Sequence, residues 1–198
     1  MGTGAYKVSE ITTAVASPRL PIGTKYLENT TAGTIAIQSK SAYGSWEFDV
    51  NFSLPTYSYL AIISPIANPA SNTIMYYALS KTSSNELRMK SGASVILLTA
   101  SSYLDLDTWY RLKVARLKSA GTFASIVPSM TTTYPADTFA VFIKGGSFGD
   151  DYQLVSTTGG SGTNPVTDST YTTSEYFVAD LDAGDRFTNL KIYNGVKQ

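Results

Sequence analysis

The sequence predicts an all-β protein, built as one antiparallel two-sheet jelly-roll sandwich. Residues 46–54 alternate strictly, with Trp46, Phe48, Val50, Phe52 and Leu54 on one side and Glu47, Asp49, Asn51 and Ser53 on the other. A period of two means a strand with one buried and one wet face. About ten such short runs follow one another, separated by Gly, Pro, Asn, Asp and Ser turn signals, which is sandwich spacing. No stretch shows a helical period, and β-branched and aromatic residues enrich the apolar runs.

The elements follow in order. Residues 1–25 carry Pro18, Pro21 and several Gly, and read as an N-terminal arm or edge segment. Residues 26–198 form the sandwich domain. Early strands are expected at 26–27 and 34–38, either side of a turn at 29–33. The 46–54 strand is followed by strands at 59–63, 74–80, 86–90 and 94–99, with a loop bracketed by Pro65 and Pro69. Residues 109–117 turn Tyr110, Leu112 and Val114 inward and Arg111 and Lys113 outward. Residues 138–144 turn Phe139, Val141 and Ile143 inward. A strand at 152–156, a Gly/Ser/Thr-rich loop at 157–173 and a strand at 175–181 come next. A turn at 182–185 leads to the closing strand at 186–193, with Leu190 and Ile192 inward.

Composition narrows the function. Lys plus Arg and Asp plus Glu number 15 each, so the formal net charge is zero and no basic run exists. Nucleic-acid binding through phosphate neutralisation is disfavoured. Without Cys there are no disulfides or thiolate metal sites, and without His the commonest general base and metal ligand are missing. No run approaches the length of a membrane span, and residues 1–7 carry no basic-then-apolar secretory pattern. Charged residues are only 15% of the chain. A weakly charged, hydroxyl-rich surface suits a protein that docks to partners, and it equally suits a surface made soluble by hydroxyls. Met1 and Gln198 are expected to be held within an assembly.

Two groups of residues invite chemistry. Asp180, Asp182 and Asp185, around Gly184, offer oxygen ligands to a Ca²⁺ ion, although turn formation alone accounts for Asp and Gly here. The 14 Tyr, among them Tyr57, Tyr59, Tyr76, Tyr77, Tyr134, Tyr171 and Tyr176, offer a sugar-stacking or protein-contact platform, against the plainer reading of sandwich packing. A Ser nucleophile has no His partner.

Four stretches carry a resemblance. Residues 42–50 (Ala-Tyr-Gly-Ser-Trp-Glu-Phe-Asp-Val), 107–114 (Asp-Thr-Trp-Tyr-Arg-Leu-Lys-Val), 139–146 and 187–193 resemble the strands of concanavalin A-like, laminin G-like sandwich domains. Residues 142–149 and 154–185 look closer to a subgroup found in tailed-phage virion structural proteins. The resemblance implies a non-enzymatic virion protein, a capsid decoration or a tail or fibre appendage. Such a protein docks to other virion proteins or to copies of itself as a homo-oligomer, and displays a lectin-like face to host glycans. The alternative is a soluble carbohydrate-binding module or a degenerate glycosidase. Glycosidases of this fold use a Glu-x-Asp-x-x-Glu strand. Here Glu47 and Asp49 are present, but Phe52 stands where the second Glu would be.

The chain departs from the family pattern at 124–139, read as an insertion at a hairpin tip. Its Ile126, Val127, Met130 and Tyr134, with Val8 and Ile11 of the arm, are expected to contact partners. The competing expectation is that arm and insertion pack back on their own domain.

Overall fold

The computed structural model describes residues 5–68 and 75–193. The expectations for Met1, Gln198, Pro69 and the Ile74 start of a strand lie outside them. Fifteen strands are present among the described residues: β1 (Tyr6–Glu10), β2 (Lys25–Asn29), β3 (Gly33–Gln38), β4 (Gly44–Asn51), β5 (Ser58–Ser64), β6 (Tyr77–Lys81), β7 (Leu87–Ser91), β8 (Ser94–Leu98), β9 (Trp109–Arg116), β10 (Thr138–Lys144), β11 (Gln153–Leu154), β12 (Ser161–Gly162), β13 (Val166–Thr167), β14 (Tyr176–Leu181) and β15 (Arg186–Tyr193). They form two antiparallel sheets. The first runs β1-β2-β15-β4-β9-β10-β11, with β13 also on β10; the second runs β12-β8-β7-β6-β5-β14-β3. This is the antiparallel two-sheet jelly-roll sandwich the alternation predicts.

The inner faces meet as expected. Trp46, Phe48, Val50 and Phe52 of the β4 region, Tyr110, Leu112 and Val114 of β9, and Phe139, Val141 and Ile143 of β10 are fully buried in one cluster. Across the gap, Leu60, Leu79, Met89 and Phe177 of the second sheet close on them. Phe48 lies 5.8 Å from Phe177 and 5.7 Å from Phe187, ring centroid to centroid.

Two irregularities break the simple period. Thr188 pairs with Asp49 but Lys191 pairs with Glu47, so β15 carries an extra residue, with Asn189 at φ 54°. A bulge of this kind reverses which side chains face in. Phe187, opposite Val50, and Ile192, opposite Trp46, therefore both face inward; Phe187 is buried, and Leu190 and Ile192 pack half-buried against the core as the sequence expects. In β5 a bulge between Ala61 and Ile63 lets Ile62 and Ile63 both be buried.

The wet face of β4 is also corrected. Glu47, Asp49 and Asn51 are 9%, 0% and 1% exposed. β4 is central in its sheet, flanked by β15 and β9, and long cationic side chains from both neighbours reach the acids. Arg111 grips Asp49 with two bonds of 2.6 and 2.7 Å, and Asn189 donates to the same carboxylate. Lys191 and Lys113 reach Glu47 at 3.1 and 3.5 Å.

Arm and insertion both fold back onto the domain. β1 pairs with β2 at the edge of the first sheet, and Ile11 and Leu20 pack on Trp109. Ile126, Val127, Met130 and Tyr134 cover Phe123, Ala115, Ala140 and Phe142 on the outer face of the first sheet. This apolar cluster is thus packed within the chain, half-buried on the outer face of the first sheet, the competing expectation for the insertion. The stretch drawn as an insertion also includes Thr138 and Phe139, the start of β10, and Phe139 is a core residue. Val8 remains 66% exposed, with Tyr6 at 48% and Ile22 at 69%.

Candidate functional site

A large cleft opens at one end of the sandwich, where β3 of the second sheet crosses to β4 of the first. Gly44 pairs with Arg116, so β4 starts where β9 stops and both strand ends share this rim. The cleft measures about 770 Å³ and runs from Gln38 through Gly44 to the 116–121 turn, with Ile192 at its side. Gly44, at φ 120°, lets the chain turn into β4 where a side chain would be strained.

The floor is rigid because of Arg116, which is fully buried. Its guanidinium donates to the carbonyls of Ala42 (3.1 Å), Tyr171 (2.6 Å) and Asp168 (3.1 Å), and to the Asp137 carboxylate at 2.9 Å. The rings of Tyr43, Phe139 and Tyr77 stand 4.4, 4.6 and 5.0 Å from it. A planar fork with delocalised charge suits this combination of carbonyls, carboxylate and aromatic faces. Tyr43 also donates to Asp137, at 3.0 Å. Burial, then the Asp137 bond, raise the Tyr43 phenol. Burial, then the hydrogen bond to Asp168, push Tyr77 up to about 12. Both phenols are donors at neutral pH. Burial works to raise the Asp168 carboxyl, but bonds from Thr170 and Tyr77 outweigh it and leave it lowered.

Above the floor the lining mixes polar groups with the apolar Leu117, Ala120 and Ile192. Ser39 and Ser119 bring hydroxyls, Gln38 an amide, and Lys40 and Lys118 ammonium groups, while the Ser41 hydroxyl already donates to the Tyr43 carbonyl. Among the described residues no Asp or Glu lines the cleft. Such a site can hydrogen-bond a polyhydroxylated ligand and offers no carboxylate pair for acid–base work. Sequence reading missed these polar residues: apart from Gln38, which ends β3, they sit in loops, and only the crossover from one sheet to the other brings 38–44 beside 116–121.

The residues singled out in the sequence go elsewhere. Asp180, Asp182 and Asp185 do not converge. Asp180 accepts from Thr34, Asp182 caps the Ala183 N–H at 2.7 Å, and buried Asp185 accepts from Ser53 N at 2.9 Å and from the Ser58 hydroxyl. Lys81 supplies the positive charge beside Asp185 and Asp182, its ammonium held by the Leu54 and Thr56 carbonyls. Burial raises the Asp185 carboxyl. Among the described residues no group of three His, Cys, Asp or Glu is placed to hold a metal. Glu47 and Asp49 are occupied by cations, and Phe52 is core. Of the Tyr set, Tyr76 stacks on Tyr171 at 4.1 Å, Tyr77 is core and Tyr134 packs on Phe123. Tyr176 packs against the buried Ala61, Met75, Ala78 and Val178. Tyr57, 48% exposed, lies parallel to Tyr59 with Arg88 5.1 Å away.

No protein-family model matches the chain, and no curated protein sequence does either. Solved structures do. A carbohydrate-binding module, CBM66 from Bacillus subtilis, is 13% identical over 94% of both chains, with a TM-score of 0.45. The Trypanosoma rangeli sialidase is 17% identical over 93% of this chain, with a TM-score of 0.51. This chain spans 27% of that sialidase. At such identity the likeness to the sialidase shows the fold alone.

Proposed function

We propose that the chain is a non-catalytic recognition module that binds carbohydrate in the end cleft, carried by a tailed-phage virion. One observation carries the ligand class: a cleft of about 770 Å³ lined by hydroxyl, amide and ammonium donors over a Tyr43–Arg116 floor, with no Asp or Glu in its wall among the described residues. Sugars bind by many directional hydrogen bonds plus apolar contact, and Ser, Gln, Lys and the side of Ile192 offer both. The virion setting rests on the sequence resemblance of residues 142–149 and 154–185. Docking to neighbouring virion proteins or to a second copy falls to the arm, whose Tyr6, Val8 and Ile22 stay exposed while the insertion is used internally.

Two measurements test this. Wild-type protein is screened on an oligosaccharide array, and the best hit is titrated by calorimetry against wild type and Ser119→Trp, which fills the cleft. Binding by wild type and loss in the variant, with unchanged thermal unfolding, is the expected result. No binding across the array, or equal binding by Ser119→Trp, overturns the ligand reading. Mass spectrometry of purified particles tests the setting, with a fixed copy number expected and absence from particles refuting it.

A further inference from the structure

We propose that the sugar unit taken by the cleft is anionic, its carboxylate or sulfate drawn by Lys40 and Lys118; this rests on the carbohydrate reading above. The chain as a whole is neutral, yet this cleft is not. Among the described residues its wall holds two lysines and no acid. Both lysines are exposed, and among the described residues neither joins an ion pair, whereas Lys7, Lys25, Lys113 and Lys191 all do. The floor does not cancel them, because Asp137 is already matched by Arg116 at 2.9 Å.

The backbone that roots each lysine is fixed. Ser39 N–H, just before Lys40, bonds the Glu175 carbonyl at 2.9 Å. Leu117, just before Lys118, exchanges bonds with Asp137 N and the Thr138 carbonyl. The two lysines are thus rooted in anchored loops on opposite segments of one concavity. A concave, low-dielectric wall focuses the field of like charges on whatever enters. An anionic group there makes charge-assisted hydrogen bonds, stronger than those a neutral hydroxyl makes to the same donors.

The test pairs acidic oligosaccharides with neutral counterparts: oligogalacturonate against its methyl ester, and a sulfated oligosaccharide against its desulfated form. Each is titrated into wild type, the Lys40→Gln/Lys118→Gln double variant, and Lys144→Gln as a charge-matched control elsewhere. At least one acidic member is expected to bind about tenfold tighter than its neutral partner, the tenfold step of one strengthened contact. That advantage should shrink as salt rises, vanish in the double variant and survive in Lys144→Gln. Equal binding of every acidic and neutral pair, or an advantage unchanged in the double variant, overturns the inference and leaves the carbohydrate reading standing. Absence of binding by every saccharide, acidic or neutral, overturns both.

Discussion

Replacing Arg116 by Ala removes four hydrogen bonds and three ring contacts at once. The Asp137 carboxylate then keeps only the Tyr43 hydroxyl, and the Ala42, Tyr171 and Asp168 carbonyls each lose a donor. Breaking a buried ion pair on one side costs about 3–5 kcal/mol, because the remaining charge stays desolvated. Asp137 is 22% exposed, so water offsets part of that. The carbonyls left without a donor and the cavity add back about 1–3 kcal/mol. About 3–5 kcal/mol is therefore the expected net loss, which in a domain of this size lowers Tm by roughly 6–20 °C. Arg116→Lys keeps the charge but not the planar fork, and should fall between wild type and Ala. Urea unfolding followed by Trp fluorescence and far-UV circular dichroism gives the numbers. If Arg116→Ala stays within about 1 kcal/mol of wild type, the range of an ordinary surface change, Arg116 is not what holds this end of the sandwich together.

Further outcomes follow from other sites. Phe48→Ala, in the centre of the core, should cost about 3–5 kcal/mol in the same assay. Phe123→Ala should cost a similar ~3–5 kcal/mol, since Phe123 is fully buried under residues 126–134; a near-neutral result would mean that this segment is not part of the folded core. Burial works to raise the Glu47 carboxyl, but the bond and charge of Lys191 and the charge of Lys113 hold it below the ordinary value of 4.5. A carboxyl depressed in the folded state contributes stability above its unfolded value and loses it as pH falls through the folded one. Unfolding measured from pH 6 downward should therefore show a shallower acid loss in Glu47→Gln than in wild type, and identical slopes refute the pairing. Purified protein should release no reducing sugar from β-glucans, in wild type or Glu47→Gln; release that depends on Glu47 would make it an enzyme.

The sequence by itself determined the class of fold and most of its core. Period-two alternation forces Trp46, Phe48, Val50 and Phe52 to one face, and the same holds for 110–114 and 139–143, because a strand has only two faces. What it could not determine depended on neighbours distant in the chain. The bulge at Asn189 lets Phe187 join Leu190 and Ile192 on the inner side, a one-residue offset that only pairing with β4 reveals. Glu47 and Asp49 read as wet until β15 and β9 lay beside them with Lys191, Lys113 and Arg111. The apolar 126–134 segment left open a partner surface or packing onto its own domain, and only the fold shows it lying on Phe123, Ala115, Ala140 and Phe142. Asp180, Asp182 and Asp185 are close in sequence, yet strand and turn direct them to separate partners, with Lys81 beside Asp185. The end cleft is the extreme case. Its walls lie about seventy to eighty residues apart in sequence, a separation that only the sandwich topology closes.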